Sequence, residues 1–228
     1  LNLFCLNRQS HVLIINMHHI ISDGWSINVF VKELALCYTA YINEQEPVLE
    51  ELSVQYIDYA DWEKEWLSGE RLQQQLNYWK QQLAGIEVLE LHTDLPRPPV
   101  QTTHGSQLHF QLDHFLTAEL KQLAIDKGVT LYMVLLAIFQ VLLYRYTAQK
   151  DFTIGTPIAN RSRIEFENLI GFFVNTLVIR TDLDDQLSFN DLLKQVKATT
   201  VDAFAHQSVP FAKLVETLHP DRNMSYSP

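Results

Sequence analysis

The sequence predicts a mixed α/β or α+β protein built in two units, and three observations carry this reading. Short β-branched apolar runs alternate with longer stretches of helical period. Leu95-Pro96-Arg97-Pro98-Pro99 interrupts them with residues that neither a helix interior nor a central strand accepts. Beyond that segment the alternation starts afresh. A chain of 228 residues is long enough for one large domain or two small ones.

The elements follow in order. His11 to His19, with Val12, Leu13, Ile14 and Ile15, reads as a buried strand. The polar turn at Ser22-Asp23-Gly24 leads to a helix with Ser26 as its expected N-cap. Ile27, Phe30, Val31, Leu34, Ala35, Tyr38 and Tyr41 form that helix's expected inward face. Val54 to Leu83 reads as helix broken near Ser68-Gly69, with Tyr56, Tyr59, Trp62 and Trp66 as a packing stripe. After the proline segment come a strand at Gln107–Leu112 and helices near Ala118–Lys127 and Leu131–Tyr146. Strands near Phe152–Pro157 and Phe173–Asp182 follow, then helices near Phe189–Ala205 and Phe211–Leu218, with Pro210 starting the last.

Composition narrows the function classes. Net charge is −10 and no Lys/Arg run occurs, which disfavours nucleic acid and anionic membrane as partners. No apolar run reaches the ~20 residues of a bilayer span; Met133 to Tyr144, broken by Gln140, reads as a buried helix. No signal peptide is evident, and a start at Leu1 points to a beginning inside a longer polypeptide. Cys5 and Cys37 form neither a disulfide framework nor a metal spacing, so a reducing cytoplasm is expected.

The sharpest signal is His18-His19-Ile20-Ile21-Ser22-Asp23-Gly24. On a strand, adjacent histidines point to opposite faces, so one should face a cavity and the other the interior. Asp23 can orient an imidazole or pin the loop to an arginine. Gly24 allows an unusual backbone or a close approach by substrate. Zinc is disfavoured because H-E-x-x-H and a Cys/His cluster are missing. A serine triad is disfavoured because there is no G-x-S-x-G elbow. What remains is a histidine acting without a covalent nucleophile, as in direct attack of an amine, alcohol or thiol on a thioester. Arg161, Arg163 and Arg180 read most simply as surface charges, although any of them could pair with a carboxylate, and Asn175 reads as a buried amide that needs partners.

Met17 to Ser26 resembles the central motif of the condensation domains of non-ribosomal peptide synthetases, relatives of chloramphenicol acetyltransferase. Further matches run in the family's order: Tyr56-Ile57-Asp58-Tyr59-Ala60-Asp61-Trp62; Gly155-Thr156-Pro157 with Asn160-Arg161; Ile170-Gly171-Phe172-Phe173-Val174-Asn175-Thr176 with Arg180; and His206-Gln207 with Pro210-Phe211 and Leu214-Val215-Glu216. Serine at 208 replaces a common aspartate. The segment Asn223 to Pro228 lies within what resembles the last motif, while the family's two opening motifs are missing, one of them with an arginine expected at the Asp23 loop.

The resemblance implies a chloramphenicol-acetyltransferase-like α/β fold of α+β two-layer halves, paired in a V-shaped pseudo-dimer and truncated at both ends. Residues 1–94 would belong to the N-terminal half, 95–105 to the linker and 106–228 to the C-terminal half. It implies amide formation between a donor acyl or peptidyl thioester and the amine of an acceptor aminoacyl thioester. His19, Asp23 and Gly24 would act at the reaction centre; His18, Trp25, Ser26 and Asn175 would support it or line the tunnel. Whether His19 is a base or a positioning group stays open. The implied partners are donor and acceptor peptidyl carrier proteins and an adjacent adenylation domain. No metal or cofactor would be bound by the domain, because 4′-phosphopantetheine arrives on the carriers. Alternatives are an epimerization domain or a non-catalytic recruitment module of the same fold; a heterocyclization domain would need aspartate in place of a histidine.

Overall fold

The structure is a computed structural model that describes residues 1–100, 102 and 104–218. The motif-like segment Asn223 to Pro228 lies outside the described residues. Contacts divide the chain into two compact units. The first combines Leu1–Ser68 with Ile158–Asn175; the second combines Gly69–Pro157 with the chain from Thr176 onward. This grouping does not follow a cut at 95–105, because residues 158–175 join the N-terminal segment.

In the first unit, β1 (Asn2–Asn7) and β2 (Ser10–Ile14) form an antiparallel hairpin with Phe4 opposite Val12 and an irregularity between Cys5 and Asn7. The strand expected over 11–19 is therefore shorter, and β1 is an addition to the expected elements. Nor is β2 buried: every residue of both strands is exposed. A two-stranded ribbon covers neither of its own faces, so an apolar run does not by itself bury a strand.

After β2 the chain passes through a 3₁₀ turn, His19–Ile21, into α1 (Gly24–Ile42). The N-cap of α1 is Asp23, not Ser26; the Asp23 carboxylate takes the Ser26 N–H at 2.8 Å. The helix turns Ser26 and Val29 inward, whereas the expected face at Ile27, Val31, Leu34, Tyr38 and Tyr41 is exposed. α2 (Tyr56–Trp66) then lays its aromatic stripe into a core. Tyr59, Phe166, Leu169 and Phe173 are buried together, with Val54, Tyr56 and Trp62 packed on them. Edge-to-face and tilted ring pairs tie the cluster, Tyr59 lying 4.5 Å from Phe173 and 5.0 Å from Phe166 between centroids. The packing role read for the stripe holds.

In the second unit, α3 (Gly69–Gln82) is followed by a stretch without helix or strand among its described residues. The strand expected at Gln107–Leu112 is absent there, and the segment is irregular and exposed. α4 (His114–Lys127) is capped by Asp113 and ends at Gly128 in the left-handed conformation; α5 (Leu131–Thr147) is capped by Thr130. α5 buries Met133, Val134, Leu136, Ala137, Gln140 and Leu143, while Leu135, Ile138, Phe139 and Leu142 stay exposed, so the helix is buried on one side only. β3 (Asp151–Ile158) pairs with β4 (Asn175–Asp182), and α6 (Phe189–Ala205) and α7 (Phe211–Leu218) complete the described chain. No helix among the described residues is long and apolar enough to cross a membrane.

Two polar groups of the second unit are structural, Arg180 among them although it reads most simply as a surface charge. Arg180 meets Asp151 through two bonds, Nε to Oδ1 at 2.8 Å and Nη2 to Oδ2 at 2.6 Å, and its Nη1 donates to the carbonyls of Gln82 and Ala84. The guanidinium therefore closes the C-terminal end of α3 onto β3 and β4. His206 stacks on Tyr78 with centroids 3.6 Å apart, and its carbonyl takes the Trp79 indole N–H.

Candidate active site

The first unit's histidine loop is held by a sealed polar network. Asp23 is only 4% exposed. Its Oδ1 accepts the Ser26 N–H at 2.8 Å and approaches the Ser26 hydroxyl at 2.7 Å and Arg161 Nη2 at 3.3 Å; its Oδ2 accepts the Phe173 N–H at 3.0 Å. Burial alone would raise the carboxyl's pKa. The bonds from Ser26 and Phe173 and the charge of Arg161 outweigh it and hold Asp23 below the ordinary carboxylate value.

Arg161 is the main correction to the sequence reading. Its side chain is 1% exposed, not a surface charge. Nη1 donates to the carbonyls of Phe166 and Leu169, Nη2 reaches Asp23 and Ser26 Oγ, and the guanidinium lies 4.0 Å from the Phe173 ring centre. A buried guanidinium needs this many acceptors to offset its lost hydration. The loop expected to meet an arginine from an earlier motif thus has one from within this chain. Arg163 does remain exposed, over the Trp62 ring.

Ser26 is fully buried. Its hydroxyl receives Gly171 N–H at 3.1 Å and Arg161 Nη2 at 3.0 Å, and lies 2.8 Å from the Gly171 carbonyl. Trp25 donates its indole N–H to the Glu167 carbonyl at 2.8 Å. Gly171 must be glycine, since a Cβ there would overlap the Tyr56 ring. Gly24 is different. Its backbone does not need glycine, and a Cβ there would meet open space. An unusual backbone is therefore not the reason for Gly24, and room for a close approach is what remains.

The two histidines do not alternate across a strand. The strand has ended at Ile14, and both residues are exposed. His18 caps the 3₁₀ turn, its Nδ1 accepting the Ile20 N–H at 3.0 Å. An accepting Nδ1 leaves the proton on Nε2. His19, the first residue of the turn, sets its ring edge-to-face on Phe172, centroids 5.4 Å apart at 80°. His18, His19, Asp23, Gly24, Trp25 and Ser26 are thus on one loop. Asn175 is buried at the start of β4, two residues beyond the Phe173 amide that binds Asp23. Sequence reasoning misses Arg161, Phe172 and Tyr56, whose hydroxyl donates to the Phe172 carbonyl at 2.8 Å. The usable signal is the Asn160-Arg161 pair itself, because a carboxylate between apolar elements calls for a cation.

The family model for the condensation domain matches residues 1–228. The chain belongs to that family. Among curated relatives of this condensation domain, one linear gramicidin synthase polypeptide of Brevibacillus parabrevis is 51% identical over 224 residues. A second linear gramicidin synthase polypeptide of the same organism is 49% identical over 228. The chain spans 98% and 100% of its own length in these matches but only 4% and 3% of the relatives'. Among solved structures, the X-domain from teicoplanin biosynthesis matches with a TM-score of 0.89 and 32% identity, over 99% of this chain and 52% of that one. A four-domain nonribosomal peptide synthetase, AB3403, matches with a TM-score of 0.81 and 30% identity, over 93% of this chain and 16% of that one. The condensation-domain fold and family expected from the sequence are therefore borne out.

Proposed function

We propose that this condensation domain joins a donor acyl or peptidyl thioester to the amine of an acceptor aminoacyl thioester, both carried on 4′-phosphopantetheine arms of peptidyl carrier proteins. The observation that carries the reading is the division of labour in the histidine loop. Asp23 is fully engaged by Ser26, Phe173 and Arg161, so it serves the loop's shape and is not available as a base. His18 Nδ1 is engaged by the turn. His19 is left exposed on the same loop as the imidazole that can meet a substrate.

In this reading the amine attacks the thioester carbon and His19 takes up the amine's proton or aligns its lone pair; the new C–N bond replaces the C–S bond, and the donor's pantetheine sulfur leaves as the thiol with the released proton. The Gly24 N–H, in the first turn of α1, has no acceptor within its own helix and can face the developing oxyanion. The open space at Gly24 leaves room for the thioester. Trp25 and Ser26 hold the loop from behind, and Asn175 would help line the same site. The relatives are synthetase polypeptides far longer than this chain, which supports carrier and adenylation domains as neighbours.

A second reading has its own observation. The neighbour with a TM-score of 0.89 is an X-domain, and a matching structure holds that X-domain in complex with OxyB. A domain of this fold could recruit a partner enzyme in place of forming bonds, but the complete H-H-x-x-x-D-G loop favours catalysis.

The test is dipeptide formation by the full polypeptide with both carriers loaded. Wild type should turn over, and His19→Ala should lose about 10²–10⁴-fold in rate with its fold intact. An inactive wild type that still binds both carriers would favour recruitment, and full turnover by His19→Ala would remove His19 from the chemistry.

A further inference from the structure

Residues 171–173 are bonded to the histidine loop and α2 one after another. Gly171 meets Ser26 Oγ through both its N–H and its carbonyl, the Phe172 carbonyl takes the Tyr56 hydroxyl, and the Phe173 N–H binds Asp23. Extended backbone alternates its side chains. Gly171 and Phe173 face the core, so Phe172 faces out and is 40% exposed. Leaving a large aromatic side chain half in water on a rigidly fixed backbone gains little for the core. Its ring is not idle, however, because its neighbour is His19, 5.4 Å away and nearly perpendicular.

The geometry points to Phe172 as a positioning residue for the His19 imidazole, an inference that rests on His19 being the reacting histidine. A phenyl ring forms no hydrogen bond to Nδ1 or Nε2. It restrains the imidazole through a ring–ring contact and leaves the nitrogens to the substrate. A carboxylate in the same place would orient the ring by occupying a nitrogen and would alter its basicity. The restraint originates in the Asp23 network: that network fixes 171–173, and Phe172 transmits the fixed position to His19.

The test compares wild type, Phe172→Leu, Phe172→Tyr and His19→Ala in the full polypeptide. Phe172→Leu keeps an apolar side chain but removes the ring. It should lower kcat roughly three- to tenfold, as expected for one ring contact, with KM for the acceptor carrier and the melting transition unmoved. Phe172→Tyr should restore the rate. A second readout is independent of turnover: carbethoxylation of His19 by diethyl pyrocarbonate, followed by peptide mass spectrometry with His11 as the internal reference. Loss of the covering ring should speed labelling at His19 severalfold. Unchanged labelling and unchanged kcat in Phe172→Leu would overturn the proposal, as would failure of Phe172→Tyr to restore a lost rate. If His19→Ala keeps full turnover, the chemical role of His19 falls, while the labelling still decides whether Phe172 holds the ring.

Discussion

Two arginines of this chain each bind an aspartate, and their settings are opposite. Arg161 and Asp23 are sealed, with side chains 1% and 2% exposed, whereas Arg180 and Asp151 keep 24% and 32%. The half-exposed pair has the better geometry, two bonds of 2.6–2.8 Å against one approach of 3.3 Å. Yet the sealed pair governs more of the structure. A charge excluded from water must be satisfied by protein groups, so Asp23 and Arg161 draw in Ser26, Phe166, Leu169, Gly171 and Phe173 and fix all of them. A charge that still touches water closes only its immediate neighbours. Placement in the interior, more than bond quality, decides how far an ion pair organises its surroundings.

Substitutions test this contrast. Asp23→Ala leaves Arg161 buried without its counter-charge and should cost about 3–5 kcal/mol. Hydrogen exchange in peptides covering 18–30 and 165–175 should report the loss in both segments together. The same carboxylate gives a pH signature. Its folded pKa is lowered, so its contribution is complete above the ordinary carboxylate value of ~3.9 and is lost as pH falls through the lower folded value. The acid side of the stability profile should flatten in Asp23→Asn. If exchange in 165–175 is unaffected by Asp23→Ala, the sealed pair does not organise that segment.

Gly171→Ala comes next in size. The added methyl group overlaps Tyr56, whose hydroxyl is tied to the Phe172 carbonyl, so the ring cannot swing aside freely. About 1–3 kcal/mol is expected, measured by denaturant unfolding followed by tryptophan fluorescence. Arg180→Ala should cost less, about 1–2 kcal/mol, because water can replace part of what is lost. Its effect should appear as faster exchange at the end of α3, leaving the histidine loop as it was. Gly24→Ala is the smallest, within about 0.5 kcal/mol, since the new methyl group enters open space. A fall in dipeptide formation without loss of stability would show that the space at Gly24 belongs to substrate.

Much of the second unit could be read from the sequence. The bounds of α6 and α7 agree with the periodicity, and those of β3, β4, α4 and α5 differ by a few residues, because caps such as Asp113, Thr130 and Ser188 sit beside strong apolar patterns. The histidine loop was legible as a motif but not as a shape. The run from Val12 to Ile15 suggests a strand reaching His19, whereas the local hydrogen bond from Ile20 N–H to His18 makes a 3₁₀ turn. Ser26 looks like a cap because its hydroxyl can serve as one, yet that hydroxyl is used by Gly171 and Arg161. For Arg161 only the Asn160-Arg161 pair and its capacity to meet a carboxylate were legible; which carboxylate, and the role of Phe172, depend on pairings well over a hundred positions away that no local pattern encodes.

That separation matters before the protein is complete. Asp23 bonds to the amide of a residue 150 positions further along. At ribosomal speeds of about 5–20 residues per second, the loop waits roughly 8–30 s after its own synthesis for Phe173 to be made. During that interval the carboxylate is hydrated, and α1 has its own cap but neither Arg161 nor the 171–173 segment to lean on. The histidine loop is thus made well before it can be set, its final geometry fixed only when the segment carrying Arg161 and Phe173 arrives.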